Sequence, residues 1–193
     1  MVQGRWVLVR HAPARSRDFV RWPDDRGRPL KPGGRREFED ASHGLRSLLE
    51  GRGNAATSPL ARAAETAEIL GKVWPPARRL QTWKELEPEG DLVALFRRAS
   101  AARGRGDLVL VGHEPQLSRL VGYCVLGEGT SVLKFSKGGA VAIDFPGPVR
   151  PGGGRLLWAL TRGQLCRVRA RRSSRGARRG RPSRAPKEKG DEG

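Results

Sequence analysis

Two apolar runs, Trp6-Val7-Leu8-Val9 and Leu108-Val109-Leu110-Val111, are each cut off by a pair that ends in histidine, Arg10-His11 and Gly112-His113. Short uninterrupted runs of Val and Leu bounded by charge or glycine read as strands covered on both faces, the kind found inside a parallel sheet. The chain has three histidines, so two of them stand at equivalent positions after its two best strands. That coincidence constrains both fold and chemistry. His43 falls inside a helical pattern among polar residues and reads as a solvated or partly packed side chain.

Helical periodicity separates the strand signals. From Arg35 to about Leu49, the residues Phe38, Ala41, Leu45, Leu48 and Leu49 form one stripe, with Gly51 and Gly53 as the stop. A weak strand over residues 54–57 leads into Ser58-Pro59, read as N-cap and first helical position, with Leu60, Ala63, Ala64, Ala67 and Leu70 facing inward and Pro75-Pro76 ending the helix. A weak strand over 79–82 and a turn over 85–90 precede Asp91, the predicted cap of a helix carrying Leu92, Leu95, Phe96 and Ala99. Leu117, Leu120, Val121, Cys124 and Val125 predict another helix, and residues 140–145 and 156–160 two closing strands. Residues 13–33, rich in Pro, Gly, Arg and Asp, read as a loop. Strands alternating with helices predict an α/β three-layer sandwich with a mostly parallel central sheet flanked by helices. Ligands in such sheets bind beyond the carboxyl ends of the strands, where His11 and His113 fall.

Composition divides the chain. Of 193 residues, the last 27 hold 11 basic and 3 acidic residues, and the other 166 hold 27 and 17. Residues 169–193 carry no aliphatic side chain larger than alanine, which predicts a disordered basic tail after a folded domain at 1–168. The net charge of +18 suits polyanions and phosphorylated partners. A nucleic-acid-binding protein is therefore a second reading, although aromatics make up only 6% and no recognition motif is present. Cys124 and Cys166 offer no disulfide framework or metal cluster and read as packed thiols in a reducing compartment. No run reaches the roughly 18 apolar residues of a membrane span, and the first apolar run is shorter than the ~7 to 15 residues of a signal-peptide core. The expectation is a cytoplasmic protein without membrane contact.

Arg62 falls in the first turn of the predicted helix after Ser58, where backbone N–H groups and the helix dipole favour anions and a guanidinium adds a fork matched to phosphate oxygens. Taken with Arg10-His11-Ala12, the segment Ser58-Pro59-Leu60-Ala61-Arg62-Ala63-Ala64-Glu65-Thr66 and Val111-Gly112-His113-Glu114-Pro115 resemble the histidine phosphatase superfamily, marked by an RHG or RHA motif. Arg21-Trp22-Pro23-Asp24-Asp25, Arg28-Pro29-Leu30 and Glu85-Leu86 with Gly90-Asp91 make the resemblance closer to its small SixA-like branch of phosphohistidine phosphatases, over about residues 6 to 166.

The resemblance implies a phosphoglycerate mutase-like fold without a large cap insertion. It implies a phosphatase in which His11 attacks phosphorus while Arg10, Arg62 and His113 hold the phosphoryl oxygens, with no cofactor and no metal. Neighbouring guanidinium groups are expected to keep His11 neutral. Phosphoryl transfer needs mainly positioning and charge neutralisation, which fixed cations supply. Glu85, with Glu87 second, is the candidate general acid. Expected substrates are phosphohistidine proteins, such as histidine-containing phosphotransfer domains or phosphocarriers, with small phosphorylated metabolites as the alternative. The basic tail is expected to add nonspecific polyanion contact. Three departures bear on substrate preference or the motif itself: Ala12 in place of glycine, Thr161-Arg162 where a proline is common, and Ser136-Lys137-Gly138 in place of a hydroxyl-rich stretch.

Overall fold

The computed structural model describes residues 5–102 and 106–168, so the predicted tail at 169–193 lies outside the described residues. Chain order is β1 (Trp6–Arg10), α1 (Pro32–Arg46), β2 (Asn54–Thr57), α2 (Ala61–Val73), β3 (Gln81–Thr82), a 3-10 turn (Lys84–Leu86), α3 (Leu92–Ala101), β4 (Leu108–Gly112), α4 (Gln116–Leu126), β5 (Ala140–Asp144) and β6 (Arg155–Leu160). The strands form one sheet in the order β3-β2-β4-β1-β5-β6. The four strands from β3 to β1 are parallel, and β5 and β6 each pair antiparallel with their neighbour.

Strand alternation assigns side chains to two cores. Trp6, Leu8, Leu108, Leu110, Val141 and Ile143 face the layer of α3 and α4. Val7, Val9, Val109, Val111, Ala140 and Ala142 face the layer of α1 and α2. Both faces of β1 and β4 are covered, which is why these strands read as unbroken apolar runs. Phe38 and Leu45 of α1 and Leu120 of α4 are fully buried, and each contributes roughly 1.5 to 3 kcal/mol by leaving water. Phe38→Ala would cost about 3 to 5 kcal/mol through the cavity left behind.

Helix boundaries depart from the sequence reading in two places. Helix α1 starts at Pro32, so Gly33 and Gly34 lie in its first turn, and it ends at Arg46 with Ser47 as C-cap. Proline supplies a preset helical φ at the first position. A side chain at residue 34 would meet the Pro13 carbonyl oxygen at 2.3 Å, so the glycine lets the helix pass against the chain leaving β1. Helix α2 starts at Ala61 with Leu60 at the cap position, leaving Ser58 and Pro59 outside it. The predicted cap at Asp91 is present: its carboxylate accepts from the N–H groups of Val93 and Ala94, worth about 1 kcal/mol. No helix among the described residues is long and apolar enough to cross a membrane.

Candidate active site

Strands β1 and β4 lie side by side with Arg10 opposite Gly112, so the next residue of each chain segment leaves the same end of the sheet. This register brings His11 and His113 together, with ring centroids 5.0 Å apart and planes tilted by 50°. Both are buried, His11 at 7% and His113 at 2% exposure. His43, by contrast, is exposed on α1.

The backbone carrying His11 is tied down on every side. Arg10 N–H donates to the Gly139 carbonyl, and His11 N–H to that of Gly112. Gly138 N–H is shared between the carbonyls of Arg10 and His11, at 3.1 and 3.0 Å. Gly138 sits at φ +75°, which a side chain would make strained. Ala12 N–H donates to Thr66 Oγ1, whose hydroxyl donates to the Arg62 carbonyl, binding the His11 loop to α2.

One ring nitrogen of His11 is committed. Nδ1 lies 2.7 Å from the Ala12 carbonyl. A carbonyl only accepts, so in the neutral ring Nδ1 carries the proton and Nε2 the free lone pair. Burial pushes the His11 pKa down to about 3; the Ala12 carbonyl opposes this, and Arg62, Arg10 and Arg28 push further down. His113 falls to about 2 through burial first, then His11 and the same arginines. The guanidinium groups named by sequence reasoning are therefore the lesser cause and desolvation the greater.

His113 Nε2 lies 2.9 Å from Ser58 Oγ. The serine oxygen also accepts from Leu60 N–H, and when its hydroxyl donates to the imidazole, Nδ1 carries the ring proton. That Nδ1, with Nε of Arg10 and Nε of Arg62, is buried without a protein partner among the described residues. Buried donors in this condition call for an acceptor.

Each arginine is aimed by the backbone of another segment. Arg10 Nη1 donates to the Phe135 carbonyl at 2.7 Å, and Phe135 N–H in turn donates to Glu114. Arg62, only 4% exposed, donates through Nη1 to the Asp25 carbonyl and pairs with its carboxylate at 3.2 Å. Asp25 has a left-handed backbone, φ 58°, and is also bound by Arg28. Burial lowers Arg62 to about 10, which still leaves it cationic at neutral pH.

The structure thus assembles Arg10, His11, Arg62 and His113, but it treats Glu85 differently. The Glu85 carboxylate is held by Arg98 of α3 at 2.9 and 3.1 Å, while Arg98 stacks over Trp83. No hydrogen bond joins Glu85 to either histidine among the described residues. The expectation of Glu85 as a poised acid meets a carboxylate committed to an ion pair. Glu87 pairs with Arg26 in the loop that holds Arg62. Cys124 is buried and its thiol is pushed up by desolvation, which keeps it inert.

Sequence reasoning overlooked Ser58 as a partner of His113, and also Thr66, Asp25, Gly138 and Glu114. Ser58 and Thr66 bracket Arg62 at spacings of four residues, a signal that was present. Gly138 and Glu114 act across the fold and left none.

Residues 6–90 match the histidine phosphatase superfamily, branch 1. An uncharacterized protein of Picosynechococcus sp. is 31% identical over 129 residues, covering 65% of this chain and 77% of that relative. The chain belongs to the histidine phosphatase superfamily. The protein histidine phosphatase SixA, solved with tungstate, shares the fold with a TM-score of 0.69 at 21% identity, over 83% of this chain and 99% of that one. A SixA chain from Nakamurella multipartitia gives 0.67 at 22%, over 83% and 96%. A phosphoserine phosphatase mutant from Entamoeba histolytica gives 0.59 at 12%, over 84% and 99%.

Proposed function

We propose that the chain is a metal-independent phosphatase that hydrolyses phosphohistidine on proteins through a phosphorylated His11. The observation that carries this reading is the fixed tautomer of His11: Nδ1 is spent on Ala12 and Nε2 keeps its lone pair, while Arg10 Nε, Arg62 Nε and His113 Nδ1 are each buried without a partner among the described residues.

In the first step, His11 Nε2 attacks phosphorus and the bond from phosphorus to the substrate nitrogen breaks. The electron pair leaves with the substrate imidazole, which takes up a proton. In the second step, water attacks phosphorus, the bond to Nε2 breaks and its electron pair returns to His11, the water releases to solvent one proton, which balances the one the substrate imidazole took from solvent, and inorganic phosphate departs. Arg10, Arg62 and the Nδ1–H of His113 hold the equatorial oxygens, where charge develops and preorganised donors have most effect. A phosphorylated imidazole leaves readily, so a carboxylate already bound by Arg98 is compatible with turnover. Among the described residues, the stretch from β3 to α3 holds only the 3-10 turn and the Asp91 cap and no large insertion, which suits a phosphate displayed on a protein surface.

The test is a substrate panel: a phosphohistidine protein, a phosphoserine peptide and sugar phosphates. The reading predicts the highest kcat/KM for the phosphohistidine protein. A preference for sugar phosphates would replace it with the metabolite alternative. Removal of residues 169–193 should leave this hydrolysis intact, whereas a protein whose main task is polyanion binding would lose that task with the tail.

A further inference from the structure

The loop between β1 and α1 carries two large apolar side chains out into solvent, Phe19 at 66% and Val20 at 92% exposure. Their exposure is built rather than incidental. The Asp18 carboxylate accepts from the N–H groups of both Val20 and Arg21, and its carbonyl accepts from Trp22 N–H, closing a turn that presents residues 19 and 20 at its tip. Arg17 lies over the Phe19 ring and Arg21 over Trp22. Arg15, Arg17 and Arg21 are themselves exposed. The same loop continues into Asp25, which aims Arg62, and Arg17 approaches the Asp25 carboxylate at 4.0 Å. An apolar tip with Arg17 over the Phe19 ring, Arg21 over Trp22 and the Asp18 carboxylate inside the turn therefore stands on the segment whose Asp25 holds Arg62.

We infer that Phe19 and Val20, with Arg17 against the Phe19 ring and the exposed Arg15 and Arg21 flanking them in sequence, form a docking surface for the phosphoprotein substrate, which meets them with an apolar patch bordered by carboxylates. This rests on the reading of the chain as a phosphohistidine protein phosphatase and names what recognises the protein around the phosphate. Two apolar side chains exposed beside these arginines are ill suited to water, and covering them contributes affinity without touching the reacting atoms. The arginines select a negatively charged partner and speed its approach. An anionic membrane would also satisfy this chemistry. The link through Asp25 to Arg62 favours a partner that places a phosphoryl group in the pocket at the same time.

The test uses the full chain and its double variant Phe19→Ser/Val20→Ser, with two probes that share the same scissile bond: a phosphorylated histidine-containing phosphotransfer domain and phosphoimidazole. Because both side chains are exposed, the variant should fold, and its urea midpoint checks that. The expected result is a KM raised about tenfold or more for the phosphoprotein, with kcat and all phosphoimidazole kinetics unchanged. Equal kinetics of variant and wild type on the phosphoprotein would overturn the docking surface. An equal loss on both probes would also overturn it, since the loop would then be shaping the pocket. Sedimentation with phosphatidylserine vesicles that depends on Phe19 and Val20, with phosphoprotein kinetics unaffected, would assign the tip to a membrane and overturn it as well. A wild-type chain that hydrolyses neither probe would instead refute the functional reading beneath it.

Discussion

The floor of the pocket and its rim solve opposite problems. On the floor, His11, His113 and Arg62 are buried and Arg10 half-buried, and each is held by a backbone or hydroxyl partner: His11 by Ala12, His113 by Ser58, Arg10 by Phe135 and Arg62 by Asp25. At the rim, the turn of Asp18 holds Phe19 and Val20 out of the protein. Burial at the floor strips water from charged and polar groups so that a phosphate gains their full interaction. Exposure at the rim keeps contact area available for a partner. If the proposed roles hold, chemistry and selectivity are carried by different segments, and substitutions should separate them.

The largest separation is expected from the floor. Arg62→Ala removes a preorganised donor and should lower kcat/KM by roughly 100- to 1,000-fold, about 2.7 to 4 kcal/mol, on phosphoprotein and small substrate alike. A loss confined to the phosphoprotein would move Arg62 from the chemistry to recognition. The rim variant stands next, with its tenfold effect limited to the phosphoprotein.

An effect of another kind, on stability rather than on turnover, is written in acid. His11 and His113 are neutral when folded down to about 3 and about 2, whereas both protonate near 6.5 when unfolded. Below pH 6.5 the unfolded chain therefore binds protons the folded chain does not, and stability falls with pH by roughly 1.4 kcal/mol per proton per pH unit. Asp25, whose carboxyl is held below its usual range chiefly by Arg28, adds to this loss only at still lower pH. Urea midpoints between pH 6.5 and 4.5 should show the histidine slope, and His113→Gln should remove about half of it. An unchanged slope would mean that these rings are not buried neutral. No rim substitution should alter it.

Much of the floor was legible in the sequence because its cause is local. A strand that is apolar on every residue must be buried on both faces, and the polar residues that follow it must stand at the end of the sheet. His11 and His113 follow from that rule. Arg62 followed from its place in a helix start, although the helix begins at Ala61 and Ser58 serves His113 instead. Residues acting across the chain were not legible: Gly138 beneath the His11 backbone, Glu114 behind Arg10 and Arg98 on Glu85 meet their partners only after folding. The rim was read as an aperiodic loop. Its Phe and Val carry no period that distinguishes an exposed tip from a buried anchor.

The central claim is that phosphate passes through His11. Rapid quenching of the full chain with a radiolabelled phosphoryl donor should trap a labelled protein whose bond is labile in acid and stable in alkali. The label should map to His11 and be absent from His11→Ala. A chain that turns over the donor yet never carries label, or carries it undiminished after His11→Ala, would contradict the account.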